Sequence, residues 1–138
     1  MAVLGIGVRR RGAATVEMAL VLPLLLALTF GLIEYGWLFL KAEEMGSAAR
    51  AGARAASMPG ATTTAVLASI ASQMTEAGMG GSGYSVTFTP ANVASPLPGE
   101  TIRVVIKVDY SKIALTGIPL VPVPPNLIAS VSMVKEGP

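Results

Sequence analysis

Residues 9–57, RRRGAATVEMALVLPLLLALTFGLIEYGWLFLKAEEMGSAARAGARAAS, decide the fold of this 138-residue chain. From Met18 to Ile33 sixteen residues pass without a charge, and the apolar run continues to Leu40 with Glu34 as its one interruption. As a helix rising about 1.5 Å per residue, Met18 to Leu40 extends about 35 Å, enough to cross a hydrocarbon core of about 30 Å. Arg9, Arg10 and Arg11 stand directly before the run, whereas Lys41, Glu43 and Glu44 follow it. This bias of basic residues places the N-terminus in the cytoplasm and the bulk of the chain outside. Beyond the span, residues 41–57 are rich in Ala, Arg and Glu, which favour helix, until Met58-Pro59-Gly60 stops it. Ala13 to Ser57 then forms one rod of about 65 Å. Pro23, near its start, is placed to kink it.

The rest of the chain changes period. Val66, Leu67, Ile70 and Met74 share a face of a second helix, from about Thr63 to Ala77, with a cap supplied by Thr62–Thr64. Glycines 78, 80, 81 and 83 break it. Alternation of period two follows at Tyr84, Val86 and Phe88, then from Ile102 to Tyr110, then at Leu127, Ala129, Val131 and Met133. Pro96-Leu97-Pro98-Gly99 links the first two runs, and a Pro-rich loop from Ile118 to Pro125 precedes the third. The fold class is therefore α+β. A long N-terminal helix carries a second short helix and a small antiparallel sheet of about three strands, with one buried face. Residues 58–138 alone are marginal for a self-sufficient core without disulfides. Their apolar sheet face is expected to pack on the second helix and the outer half of the first.

Composition narrows the chemistry. Mean hydropathy is +0.64, and 52% of residues are apolar against 13% charged, so an ordinary soluble globule is a poor description. The chain has neither His nor Cys, which removes disulfides, Cys-based metal centres, a Cys nucleophile and a His base. The pI of about 9.2 traces to Arg9–Arg11. Past Gly12 seven basic residues face eight acidic ones, and few aromatics remain to stack bases, so nucleic acid is not an expected partner. Glu43 and Glu44 are adjacent and point different ways on a helix, which fits a solvated face better than a cation site. No metal, no cofactor and no catalytic activity are expected.

Two carboxylates lie within the apolar stretch. Glu17 follows Gly12 by five residues, where an unpartnered charge costs about 2.5–3.5 kcal/mol or more. Glu34, near the outer end, either reaches interfacial water or pairs with a basic group on another subunit during assembly. Gly46, Ala48, Ala49, Ala51, Gly52, Ala53, Ala55 and Ala56 make the outer helix slim. That slimness is either ordinary alanine-rich helix or a surface for close approach to other subunits.

Gly12-Ala13-Ala14-Thr15-Val16-Glu17 resembles the processing site of prepilins. The resemblance implies cleavage after Gly12, a new amino terminus at Ala13, and Glu17 at the fifth mature position, where it meets the amine of a neighbouring subunit. Ala13 stands where many type IV pilins have Phe, which points away from the major type IVa pilins. The whole of residues 9–57 resembles the TadE-like proteins of tight-adherence pilus systems through Leu22-Pro23-Leu24-Leu25-Leu26, Gly31-Leu32-Ile33-Glu34-Tyr35-Gly36 and the Ala-rich run around Arg50 and Arg54. Leu127 to Glu136 is similar to that family's last strand, while Trp37 replaces a residue that is often basic in relatives. The resemblance implies a leader at 1–12, a transmembrane helix at 13–40, its extracytoplasmic extension at 41–57 and a small domain at 58–138. It further implies a non-enzymatic minor pilin or pseudopilin, held in the cytoplasmic membrane or incorporated into an extracellular pilus. There it acts in initiation, at the tip or along the shaft. Its implied partners are other pilin or pseudopilin subunits, a prepilin peptidase, an inner-membrane assembly platform and the lipid bilayer. A signal peptide fits poorly, since the run exceeds an h-region of about 7–15 residues. A permanently anchored scaffold of a secretion or pilus machine is the alternative, distinguished by the absence of processing.

Overall fold

A computed structural model describes residues 7–117 and 122–137, with side chains from residue 12 onward. The leader's first six residues, the side chains of Arg9–Arg11 and the start of the 118–125 loop lie outside the described residues. Among the described residues the chain forms helix α1 (Gly7–Ser57), helix α2 (Thr63–Glu76) and strands β1 (Ser85–Thr89), β2 (Thr101–Asp109) and β3 (Asn126–Val134). A one-turn 3-10 helix, Tyr110–Lys112, follows β2. The architecture is the α+β arrangement expected from the periodicity.

α1 runs 51 residues through Pro23 without interruption, about 75 Å at the helical rise. Its two halves have different surroundings. From Gly12 to Ile33 no side chain is buried, and Leu20, Leu24, Leu28 and Leu32 are 70% or more exposed. Burial starts at Glu34 and continues through Leu38, Lys41, Met45, Ala48, Ala49, Gly52, Ala53 and Ala56. Steps of three and four residues keep these on one stripe. The stripe packs on α2 and on the sheet, so the slim surface of α1 is occupied by the chain's own domain.

That slimness has a local reason. A Cβ placed on Gly52 would stand 2.5 Å from Cγ1 and 2.6 Å from Cδ1 of Ile70 on α2. α2 begins where Thr62 accepts a hydrogen bond from the Ala65 amide at 3.2 Å, a side-chain N-cap. It buries Val66, Ile70 and Met74, spaced by one turn. Leu67, expected on the same face, is 40% exposed, at the edge of the stripe that Val66, Ile70 and Met74 bury.

The sheet order is β1-β2-β3, antiparallel throughout. Register pairs Phe88 with Val104, Val104 with Val131, Val86 with Ile106 and Ile106 with Ala129. Directly opposed residues share a face, so these rows form one apolar surface under α1 and α2. Ile102, Val104, Ile106 and Val108 are buried on the central strand. Tyr110 was expected to continue β2 but opens the 3-10 turn, its carbonyl accepting from the Ile113 and Ala114 amides at 3.0 and 2.9 Å. Lys135, just past β3, is 8% exposed and donates to the carbonyls of Ala56 at 3.0 Å and Met58 at 2.8 Å. It thereby satisfies acceptors left open at the C-terminus of α1.

Candidate functional site

The candidate site is the inner half of α1 and the place where the domain takes hold of it. Gly12, Ala13 and Glu17 all lie on exposed helix. Gly12 and Glu17 are separated by five residues, about 7.5 Å along the axis. A Cβ at Gly12 would meet nothing within 4 Å. The ion pairs among the described residues are Lys41–Glu44 and Glu43–Arg50, so Glu17 belongs to none of them. Glu17 thus stands in an exposed apolar stripe, able to meet a cation brought by another chain.

Glu34 has a different environment. It is 2% exposed and does not reach water. Its Oε1 accepts from the Tyr110 hydroxyl at 2.7 Å and the Leu115 amide at 3.3 Å. Its Oε2 accepts from the Thr116 amide at 2.9 Å and the Thr116 hydroxyl at 2.6 Å. Four donors from the segment after β2 therefore close around one carboxylate of α1. Burial first, and the neighbouring Glu34 carboxylate second, push the Tyr110 phenol above its ordinary value of 10.0.

The same turns of α1 grip that segment twice more. Trp37 donates from its indole N–H to the Ile113 carbonyl at 2.7 Å, and Tyr35 donates from its hydroxyl to the Pro122 carbonyl at 2.6 Å. Lys41 is 6% exposed. It bonds to Glu44 at 2.8 Å and to the Ala77 carbonyl at the end of α2 at 2.6 Å, and its ammonium lies 4.6 Å from the centre of the Trp37 ring. A groove of about 340 Å³ opens between Trp37, Lys41, Met79, Lys112 and Ile113. Glu34, Tyr35, Trp37 and Lys41 together form a clasp joining the long helix to the β2–β3 connection and to α2. Sequence reasoning singled out Glu34 and missed its partners Tyr110 and Thr116, as well as Lys41 elsewhere in the clasp. The only signal was a Tyr and a Thr close to a Pro-rich loop, which has no periodicity to align it with α1. Among the described residues no group of three or more acidic side chains gathers where a metal could bind.

Among the described residues one helix is long and apolar enough to cross a membrane, and its most apolar window is unburied. This fits a single-pass membrane protein. The TadE-like protein family matches residues 12–54. Over that stretch the chain resembles TadE-like proteins. Neither a curated protein nor a solved structure matches it. The matched stretch begins at Gly12, includes Glu17 and the α1 side of the clasp, and ends at Arg54, so the likeness lies in the helix.

Proposed function

We propose that this TadE-like chain is a minor pilin or pseudopilin subunit, made as a membrane precursor and recruited to a tight-adherence pilus. The observation that carries the reading is Glu17. It is a carboxylate on a fully exposed apolar stretch of α1, five residues after Gly12, at the start of the TadE-like match. In the bilayer such a group needs a cation. Cleavage after Gly12 by a prepilin peptidase supplies one, the α-amine of Ala13 on a neighbouring subunit. Paired at close range in an apolar helix bundle, the two charges fix the axial offset between subunits; removing either leaves the other uncompensated. The N-terminus faces the cytoplasm, and the domain projects from the opposite membrane face. Assembly, not turnover, is the function, and binding is carried by helix packing.

The reading is tested with Glu17→Ala in cells that make the pilus, by immunoblotting sheared filaments and membranes separately. The variant is expected to be processed and retained in the membrane while its share in sheared filaments falls at least tenfold. Unchanged incorporation of Glu17→Ala would remove the pairing from the account.

A further inference from the structure

We infer that the base of the domain is a lipid-contacting surface, with Leu115 and Val123 seated at the bilayer face from which α1 emerges and Lys112 at its headgroup rim. The inference rests on reading α1 as a membrane span and relocates the end of that span. Residues 13–33 form 21 residues of unburied helix, Gly31 and Ala27 being its most sheltered positions. They measure about 31 Å, which matches a hydrocarbon core of about 30 Å. The next residue is Glu34, already enclosed by Tyr110, Leu115 and Thr116. The bilayer cannot occupy that side of the helix beyond Ile33, because the domain does.

The clasp therefore sets the height of the described ends of the β2–β3 connection, at Leu115 and Pro122. Leu115 is bonded at the level of Glu34, and Pro122, the neighbour of Val123, at the level of Tyr35. Leu115 is 50% exposed and Val123 37%. The sequence from Ile113 to Val134 carries no charged residue, so the connection has no charge to hold it away from lipid. The polar features sit one step higher. Trp37 lies four residues past Ile33, about 6 Å farther along the axis, within a headgroup layer about 5–8 Å thick, while Lys41 is buried about 12 Å beyond Ile33, above that layer. With Lys112 they line the groove described above. An aromatic, with Lys112 beside it at the groove, suits a headgroup layer. Continuity with the exposed apolar face of α1 names the occupant as a lipid surface.

The absence of cysteine makes the test direct. Single-cysteine variants at Leu115, Val123, Leu24 and Val134 carry an environment-sensitive fluorophore in full-length protein reconstituted in phosphatidylethanolamine–phosphatidylglycerol vesicles. Val134 is a matched exposed apolar control at the far end of the sheet. Nitroxide lipids labelled near the headgroup should quench positions 115 and 123 several-fold more than 134, while aqueous iodide shows the reverse order. Iodide quenching at 115 and 123 equal to that at 134 would overturn the inference. So would protection from both quenchers, which would show a second protein surface covering the loop. Position 24 separates the two levels of the argument. If it is quenched by deep nitroxides while 115 and 123 behave like 134, the span stands and the lipid-contacting base falls; if position 24 is open to iodide, both fall. Trp37, the single tryptophan, provides a check on the unaltered chain: shallow brominated lipid should quench it more than deep brominated lipid, and no quenching by either contradicts the placement.

Discussion

Glu34 is surrounded by donors that lie 76 to 82 positions away in the chain. Every one of them needs an acceptor, so the substitution Glu34→Gln introduces an amide N–H against the amides and hydroxyls that an oxygen now receives. A buried donor left without a partner costs about 1–3 kcal/mol, and more where a charge was involved. The variant is expected to lose about 2–3 kcal/mol of domain stability, measurable by denaturant melting in detergent micelles. Tyr110→Phe removes one charge-assisted bond and should cost about 1.5–3 kcal/mol near neutral pH. It also has a signature in pH. The phenol's folded pKa is raised above its unfolded 10.0, so the unfolded chain loses that proton first. The contribution of Tyr110 is fully present below about pH 10 and is lost as pH rises toward the folded value. The stability gap between wild type and Tyr110→Phe should therefore shrink from about pH 10 upward, and a gap that widens there contradicts the assigned direction. That Glu34 is unusual was readable from its place in an apolar run. Its partners were not, because a contact across more than seventy residues through a Pro-rich loop leaves no periodicity in the sequence.

Among the elements, α1 and α2 meet at Gly52. Gly52→Ala raises intrinsic helix propensity by about 1 kcal/mol, yet its new methyl would lie 2.5 Å from the buried Ile70 side chain. Overpacking of about 1–3 kcal/mol should win, giving a net loss in thermal melts. Gly52→Ala with Ile70→Ala should be less damaging than the sum of the two single changes, because the second removes the atoms the first strikes. Equal or additive losses would show that the helices have room to separate. The strands and α2 were the legible elements: strict alternation in β2 and β3 gave the buried face, and Thr62 marked the cap. Leu67 misled because four apolar residues of α2 fit a broad stripe, of which the core takes only Val66, Ile70 and Met74. The small residues from Ala48 to Ala56 could be read from sequence as a surface for other chains or as plain helix. Only the positions of α2 and the sheet show that they face the chain's own core.

For the whole molecule, the unburied half of α1 gives way to the packed half at Glu34. The outer half of α1 completes the core of residues 58–138 through Leu38, Met45, Ala49 and Ala53. A chain beginning at Ile33 retains the clasp and should be soluble and cooperatively folded. One beginning at Ala42 loses Glu34, Tyr35, Trp37, Leu38 and Lys41. It should melt at least about 10 °C lower, the shift that roughly 2 kcal/mol produces in a domain of this size. Circular dichroism melts of the two truncated chains decide it, and equal melting temperatures would show the clasp to be dispensable. The α+β architecture could be read from residue pattern, whereas the height at which it takes hold of the long helix depended on that one buried carboxylate. The central claim, that α1 is a processed assembly helix, is tested most directly by the N-terminal residue and intact mass of the protein taken from native membranes. Wild type and Gly12→Ala are compared with and without the host's prepilin peptidase. The account predicts a chain starting at Ala13 only when Gly12 and the peptidase are both intact. A chain that still carries Arg9–Arg11 in peptidase-active cells would contradict it and leave a permanently anchored scaffold in its place.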